Sequence, residues 1–442
     1  MIEAAKAAAA RPAQERQDEN VAVLLEAFSD LIEADPDAFR SKFRKMAASP
    51  FAFYRGSAPL FYGDMAREEE APSDPRASRV WIQGDLHAEN FGTYMDASGR
   101  LVFDINDFDE AYVGHFGWDL GRLVASLALL GYDKAFSDED IRAIVAACGS
   151  GYVQRIRSFA EGVPREDFAL TLARTSGPLH AALERARTRT RSELLDRLTV
   201  IEGCDRRLRR SELAHDVGGA ERGEVEDAFR DYLTTLPEVG DRDPDALAIK
   251  DMVAVGGFGI GSAGLPAYTV VLEGATDALE TDILISIKQA NVCAPSRVVR
   301  DRHISEYFEH HGMRTVLSQR ALQAHADPWL GYTVINGHGQ VVKELSPYEE
   351  DLDWVEINLR EEVVEVATSL GEAVAKMHSV ADSHADLTLV PFAAEEAIAT
   401  SIESHEGFLD DLYEFALAYA DVVRDDHRLF VDAFRNHRIA GL

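Results

Sequence analysis

The order of sequence patterns along the chain is the feature that most restricts its fold. Apolar residues recur mainly at helical spacing from residue 21 to about residue 236, and they do so again towards the C-terminus. Residues 249–350 instead contain short β-rich runs separated by glycines and acidic turns. The polar stretch 237–248, which contains proline and glycine, separates the two patterns. Because helices and strands are segregated in this way, we predict an α+β fold with two lobes.

The predicted lobes are not both continuous in sequence. The β-rich small lobe takes residues 249–350, and the helical large lobe combines residues 21–248 with residues 351–442. Residues 1–20 are expected to form a flexible N-terminus. A chain of 442 residues suits two lobes, because a single hydrophobic core stops growing near ~250–300 residues.

Charge and cysteine content limit the partners of the protein. Lys and Arg number 45 against 77 Asp and Glu, which gives a formal net charge of −32. Such an acidic surface repels nucleic acids and anionic membranes, so we predict neither as a partner, and an anionic ligand has to bind in a local pocket. The 3 cysteines form no CxxC pair, which argues against a disulfide framework or a structural zinc site. Since no signal core and no apolar stretch of about 18 residues occurs, we expect a cytoplasmic protein.

Two short acidic segments form the strongest candidate site. The segment GDLHAEN contains Asp85 and Asn90, and the segment NDFD contains Asp107. Two apolar runs between them flank an Asp-Ala-Ser-Gly stretch, so a hairpin should bring both segments to one edge. Magnesium prefers oxygen ligands. We therefore expect Asn90 and Asp107 to bind Mg²⁺, and Asp85 to orient an acceptor hydroxyl and take its proton. Each residue alone is better explained by a loop that satisfies backbone amides, and Asp104 and Asp109 are alternative metal ligands.

A glycine-rich segment much later in the chain is the second candidate. Residues 256–264 read GGFGIGSAG, in which glycines let backbone N–H groups approach phosphates closely. A dinucleotide-binding fingerprint would open a helix, but a proline and a β-rich run follow, which favours a strand–loop–strand lid of the kinase type. The apolar run ISIK then ends in a lysine, as the third strand of a kinase does. The alternatives are a flexible turn for the glycines and a solvated strand end for the lysine. The residues expected to contact the nucleotide are Gly257, Gly259, Gly261, Ser262, Gly264 and Lys288.

These segments resemble those of known families. GDLHAEN and NDFDEAYVGHFGWDL resemble the catalytic and metal loops of aminoglycoside and choline phosphotransferases, which belong to the protein-kinase-like superfamily. SPFAFYRG, GDLHAENFG, FDINDFDEA, IKQA and SQRALQ are more similar still to the uncharacterised bacterial family called domain of unknown function 2252, over most of residues 40–345. The resemblance to phosphotransferases implies ATP and Mg²⁺ as cofactors. It places the three aspartates of the pattern on Asp85, Asp107 and Asp119, and we expect Asp119 to brace the backbone of the catalytic loop.

The order of the segments departs from that of a standard kinase. The glycine loop and the lysine follow the catalytic loop instead of preceding it, and LGEAVAKMH, which resembles the helix before that loop in phosphotransferases, lies near the C-terminus. The resemblance therefore implies a kinase-like fold in permuted order. Gln83 stands where the usual histidine of the catalytic loop would be. No glutamate is clearly identified as the partner of Lys288: Glu306 and Glu309 are candidates, and the position expected by resemblance holds Leu317.

The sequence thus predicts an ATP- and Mg²⁺-dependent phosphotransferase that acts on a hydroxyl of an unknown acceptor, a small molecule or another partner. A nucleotide-binding pseudokinase and an AMP-transferring regulatory protein are the alternatives. A metallophosphoesterase is less favoured, because no GNH segment occurs in the chain. Neither the acceptor nor the oligomeric state can be read from the sequence.

Overall fold

Helices make up most of the computed structural model, which describes residues 1–67, 74–237, 247–256, 266–274, 276–380 and 389–439. None of the helices in these ranges is both long and apolar enough to cross a membrane. The helices are α1 (Ile2–Ala9), α2 (Ala13–Ala34), α3 (Pro36–Met46), α4 (Pro50–Gly56), α5 (Ala58–Met65), α6 (Phe116–Asp133), α7 (Asp138–Ala160), α8 (Gly177–Arg187), α9 (Arg191–Leu198), α10 (Gly219–Leu233), α11 (Arg302–Tyr307), α12 (His311–Leu322), α13 (Arg360–Val380), α14 (Ala394–Glu403) and α15 (Phe408–Arg435).

The strands form one large antiparallel sheet and three small ones. The large sheet has the order β11-β12-β10-β9-β8-β7, and the small sheets have the orders β1-β4, β13-β2-β3 and β5-β6. The α+β class is therefore confirmed. The strands are β1 (Val80–Ile82), β2 (Phe91–Met95), β3 (Leu101–Ile105), β4 (Tyr112–Gly114), β5 (Thr199–Glu202), β6 (Asp205–Leu208), β7 (Ala214–Asp216), β8 (Ile249–Val255), β9 (Ala267–Leu272), β10 (Ile283–Gln289), β11 (Gly331–Ile335), β12 (His338–Glu344) and β13 (Glu350–Asp351).

The large sheet is rich in β-branched residues and is buried on both faces. Alternate residues point to opposite faces of a strand, and in β9 Val270 packs with the apolar side of α10 while its neighbour Val271 packs with Leu194 and Leu195 of α9. Helix α12 covers the far end of the sheet, where Val316 contacts Val341 of β12. This packing holds β10, and the lysine at its end, in a fixed position.

The helical part of the fold is assembled from segments on both sides of the sheet in sequence. Helices α7 and α13 pack so closely that a Cβ atom added to Gly371 would lie 2.1 Å from the carbonyl oxygen of Cys148. Helix α6 lies in the same core and is buried along almost its whole length. The early segment that carries GDLHAEN and the late segment that carries LGEAVAKMH therefore share one hydrophobic core.

The N-terminus differs from the flexible segment expected over residues 1–20. Helix α1 and the first turns of α2 occupy this region, and Arg16 is only 5% exposed. Its guanidinium donates to Asp64 at 2.6 Å and 2.7 Å and to Asp426 at 2.9 Å and 2.6 Å. These contacts join the first helices to the last one, α15, and only the three-dimensional fold brings such distant residues together.

Candidate functional site

Asp119 fixes the backbone of the GDLHAEN segment. At the start of α6, its carboxylate accepts hydrogen bonds from the amides of Gln83 at 2.7 Å and Gly84 at 2.9 Å. The imidazole of His378 on α13 lies 3.2 Å from the same carboxylate. Gly84 has a φ of +87°, and a Cβ there would lie 2.1 Å from the carbonyl oxygen of Glu110, so only glycine fits. The expectation that Asp119 braces this loop is confirmed.

Asp85 follows that glycine and faces a buried arginine. One carboxylate oxygen accepts a hydrogen bond from Arg122 of α6, whose side chain is fully buried. The Asp85 amide donates to the Gln83 side chain at 2.8 Å, so Gln83 also orients the loop. Burial raises the pKa of Asp85 to about 7 against the opposing charge of Arg122, and the nearby Glu110 and Asp107 add to the rise. A carboxylate with this pKa is suited to act as a general base near neutral pH.

Arg122 is a residue of the site that sequence reasoning missed. Its guanidinium carbon lies 4.3 Å from the ring centroid of Tyr54, and it donates to the Tyr54 carbonyl at 3.2 Å. Tyr54 and its neighbour Arg55 belong to the segment SPFAFYRG, and Arg55 forms an ion pair with Glu89 of the GDLHAEN segment. The available signal was an arginine inside the otherwise apolar α6, where an unpaired charge would be costly.

Asn90 precedes β2 and Asp107 follows β3, so both lie near the open end of this hairpin, and both line the same cavity. The cavity has a volume of about 260 Å³. The Asn90 amide nitrogen donates to the Asp85 carbonyl at 3.0 Å, which leaves the side-chain oxygen as its possible ligand atom. Asp107 is exposed, and its carboxylate accepts a hydrogen bond from the backbone amide of Asp109 at 3.1 Å. One amide and one carboxylate oxygen suit Mg²⁺, which takes its other ligands from water and phosphate. Within the described ranges, no three His, Cys, Asp or Glu side chains cluster as a metal site.

Lys288, at the end of β10, reaches this same cavity. Its ammonium lies 2.8 Å from a carboxylate oxygen of Asp109. Burial alone would lower the pKa of Lys288, but Asp109 and Asp107 together raise it. A second lysine, Lys343 of β12, also lines the cavity. The structure therefore brings the predicted lysine and the predicted acidic segments together.

The residues considered as partners of Lys288 on the following helices lie elsewhere. Glu306 faces Arg302 at 3.5 Å, and Glu309 is exposed. Helix α12 presents Thr315 and Gln319 to the cavity instead of a glutamate. The carboxylate that pairs with Lys288 therefore comes from the NDFD segment.

Of the two alternative metal ligands, one is already committed to another contact. Asp104 is buried in an ion pair with Lys376 of α13, and it also accepts hydrogen bonds from the Ile105 amide at 3.0 Å and the Tyr94 hydroxyl at 3.4 Å. Asp109 lines the cavity together with Asp107. Both Asp107 and Asp109 thus remain as metal-ligand candidates, and Asp109 is the one of the two that forms the ion pair with Lys288.

The glycine-rich segment is known here only through the strands that it joins. The predicted nucleotide-contacting residues Gly257, Gly259, Gly261, Ser262 and Gly264 lie outside the described residues. Strand β8 ends at Val255 and β9 begins at Ala267, and these two residues are paired. Ala267 is also paired with Lys288 on β10. Val255, Ala267 and Lys288 therefore lie in one row across three neighbouring strands, so the strand ends on either side of the segment lie beside the lysine.

Comparison with models of protein families places the chain in one family. Residues 34–433 match the model described as "Uncharacterized protein conserved in bacteria (DUF2252)". The chain belongs to this family, as its sequence segments indicated. Comparisons with curated proteins and with solved structures give no significant match.

Proposed function

We propose that the protein is an ATP- and Mg²⁺-dependent phosphotransferase that transfers the γ-phosphoryl group to a hydroxyl of an acceptor. The observation that carries the proposal is the meeting of Lys288 with Asn90, Asp107 and Asp109 around one cavity. Asp85 opens into an adjoining cavity that shares Asp107 and Asp109 with the first. Lysine, carboxylates and an amide in this arrangement match the parts with which kinases position ATP and Mg²⁺.

Each side chain has a role that follows from its position. Lys288 neutralises phosphate charge, and Asn90 and Asp107 hold Mg²⁺ against phosphate oxygens. Asp85, on the far side of Asp107, accepts the proton of the attacking hydroxyl. Little covalent chemistry is required of the protein in such a reaction, because the rate depends mainly on positioning and charge stabilisation.

The connection of the elements supports a kinase-like fold in permuted order. In kinases a glycine-rich loop joins two strands, the next strand carries the lysine, and a helix follows. Here β8, the glycine-rich segment, β9, β10 and then α11 and α12 follow one another in the same way. The catalytic loop precedes them in the chain, but it reaches the same cavity.

The proposal is tested by nucleotide binding and turnover in matched variants. Mg²⁺-ATP should bind the parent protein in calorimetry, and ADP should be released slowly even without an acceptor. Asp85→Asn is expected to keep the affinity but lose at least about 10²-fold in ADP release, because it removes only the base. Asp107→Ala should lose both affinity and turnover. Asp227→Asn, an exposed change on α10, is the control. Turnover at the parental rate in both site variants would exclude the assignment.

One observation favours a second candidate, a protein that binds the nucleotide without transferring phosphate. Arg122 already occupies one carboxylate oxygen of Asp85, so that oxygen is not open to an acceptor hydroxyl. For this candidate, Mg²⁺-ATP binds the parent with micromolar or better affinity while no ADP is released and no acceptor is modified. Release of ADP that depends on Asp85 favours the phosphotransferase.

A further inference from the structure

Lys42 of α3 is buried beside the candidate site, although the proposed chemistry assigns it no role. The residue is 3% exposed. Its ammonium lies 3.9 Å from the ring centroid of Phe28 and 5.2 Å from that of Phe39. Among the residues that the structure describes, no hydrogen bond or ion pair involves this ammonium. A lysine is almost never fully buried unless it is paired, so this position calls for an explanation.

Lys42 lines a narrow cavity of about 70 Å³ together with Asp85. Two of the carboxylates that also line it are already engaged. Asp85 is paired with Arg122, and Glu110 accepts the amide of Ala294. The remaining charged residues of the lining are Arg55, Asp107, Asp109 and Arg297. Lys42 is therefore a buried cation on the wall of the cavity, without a counter-ion within ion-pair distance in the described structure.

The catalytic loop itself supplies no positive charge at this point. His87 is the one basic residue of GDLHAEN, and burial holds its pKa well below the usual range, so it is neutral at pH 7. A phosphoryl group next to Asp85 carries charge on its oxygens throughout the transfer. Among the cations that line this cavity, Arg55 pairs with Glu89 and Arg297 donates to the carbonyl of Ala27, so Lys42 is the one left for this side, while Lys288 lies on the other.

We propose that Lys42 is an oxyanion-binding residue that contacts phosphoryl oxygens in the cavity beside Asp85. This inference rests on the proposed function. During transfer, the acceptor oxygen forms a bond to the γ-phosphorus and gives its proton to Asp85. The bond from the γ-phosphorus to the bridging oxygen breaks, and ADP leaves with that electron pair. Lys42 stays protonated and stabilises the charge on the transferred group.

Phosphoryl oxygens could come from the γ-phosphate of the nucleotide or from a phosphate on the acceptor, and calorimetry separates the two. Four proteins are compared: the parent, Lys42→Met, Lys42→Arg and, as the control, Lys45→Met. Lys45 is an exposed residue of the same helix. Each protein is titrated with Mg²⁺-ADP, with the Mg²⁺ complex of non-hydrolysable AMP-PNP, and with inorganic phosphate. If the γ-phosphate is the source, Lys42→Met lowers the affinity for AMP-PNP by about tenfold or more but the affinity for ADP by less than about twofold. Lys42→Arg keeps part of the parent's preference for AMP-PNP over ADP, and Lys45→Met binds both nucleotides with the affinities of the parent. ADP release falls by about 10²–10³-fold in Lys42→Met.

The other outcomes are equally decisive. Unchanged nucleotide affinities with weaker binding of inorganic phosphate in Lys42→Met support the oxyanion site and identify the acceptor as the source. Unchanged affinity for all three probes overturns the inference. Failure of the parent to bind either nucleotide refutes the proposed function, and the phosphate titration then still decides for or against Lys42. The parent's failure to bind phosphate as well would overturn both.

Discussion

Replacing Lys42 by methionine should make the protein more stable. Burial lowers the pKa of Lys42 from 10.5 to about 8, and the nearby Glu110 and Asp85 offset only part of this effect. One pKa unit corresponds to about 1.4 kcal/mol, so holding the ammonium in its buried position costs about 3 kcal/mol below pH 8. Methionine has a similar length and packs against the two phenylalanine rings, but it loses a cation–π contact of about 1 kcal/mol. We expect Lys42→Met to raise the free energy of unfolding by about 2 kcal/mol at pH 7.

The dependence on pH distinguishes this cause from improved packing. The unfolded chain binds a proton at Lys42 up to pH 10.5, whereas the folded chain releases it above about pH 8. The lysine therefore destabilises the fold fully below pH 8, and the stability of the parent relative to the variant recovers as the pH rises to 10.5. Urea denaturation at pH 7, 8, 9 and 10 measures the difference, with the exposed Lys45→Met as the control. A variant less stable than the parent at pH 7, or a gain that does not shrink between pH 8 and 10, would refute the reasoning.

Three further changes test the contacts around the site. Asp119→Ala leaves two loop amides and an imidazole without their acceptor and should lower the free energy of unfolding by about 2–4 kcal/mol in urea denaturation; a loss below about 1 kcal/mol would show that the brace is dispensable. Lys288→Gln removes the partner of Asp109 and should raise the Kd of Mg²⁺-ATP about 10–100-fold in calorimetry, while Tm, because the lysine is 30% exposed, changes little. Lys376→Met leaves the buried Asp104 unpaired and should cost about 3–5 kcal/mol in urea denaturation, whereas the double variant with Asp104→Leu should regain most of it; equal losses in both variants would argue against the ion pair.

The parts of the fold that could be predicted from the sequence are those with a strong local pattern. The hairpin of β2 and β3 is present at the expected residues because its turn contains aspartate and glycine between two apolar runs. Strands β8, β9 and β10 agree with their β-branched runs, and α13 agrees with its apolar stripe. In each case the residues that determine the element are neighbours in sequence.

Strands β5, β6 and β7 could not be predicted in this way. Their residues lie in the region up to about residue 236, where the apolar spacing is mainly helical. Arg206 instead lies on β6, only 5% exposed, where it donates to Thr199 at 2.8 Å. Arg210 binds Asp251 of β8. Charged residues break the alternation that signals a strand, and only their partners elsewhere in the chain make burial possible.

The candidate site shows the same division. Asp85, Asn90, Asp107 and Lys288 stand in short motifs, and a motif can be recognised without knowing the fold. Arg122, Lys42 and Arg55 belong to the site only because α6, α3 and α4 pack around it. Lys42 and Arg55 carry no signal in the sequence, since arginine and lysine are ordinary residues of exposed helix faces, whereas Arg122 differs from the apolar residues around it in α6. Arg122 and Lys42 are distinguished by their burial, which depends on tertiary packing.

The proposed permuted order is physically reasonable because the site depends on distances and not on sequence order. The entropy of closing a flexible loop grows only slowly with its length, so distant segments can meet at little extra cost. What they need is a rigid connection, and His378 provides one. It lies on α13, late in the chain, yet its imidazole contacts Asp119, which holds the amides of the early loop, and Tyr152 of α7 at 2.9 Å. Helix α13 thus supports the GDLHAEN segment from the opposite end of the sequence, as the proposed permuted order requires.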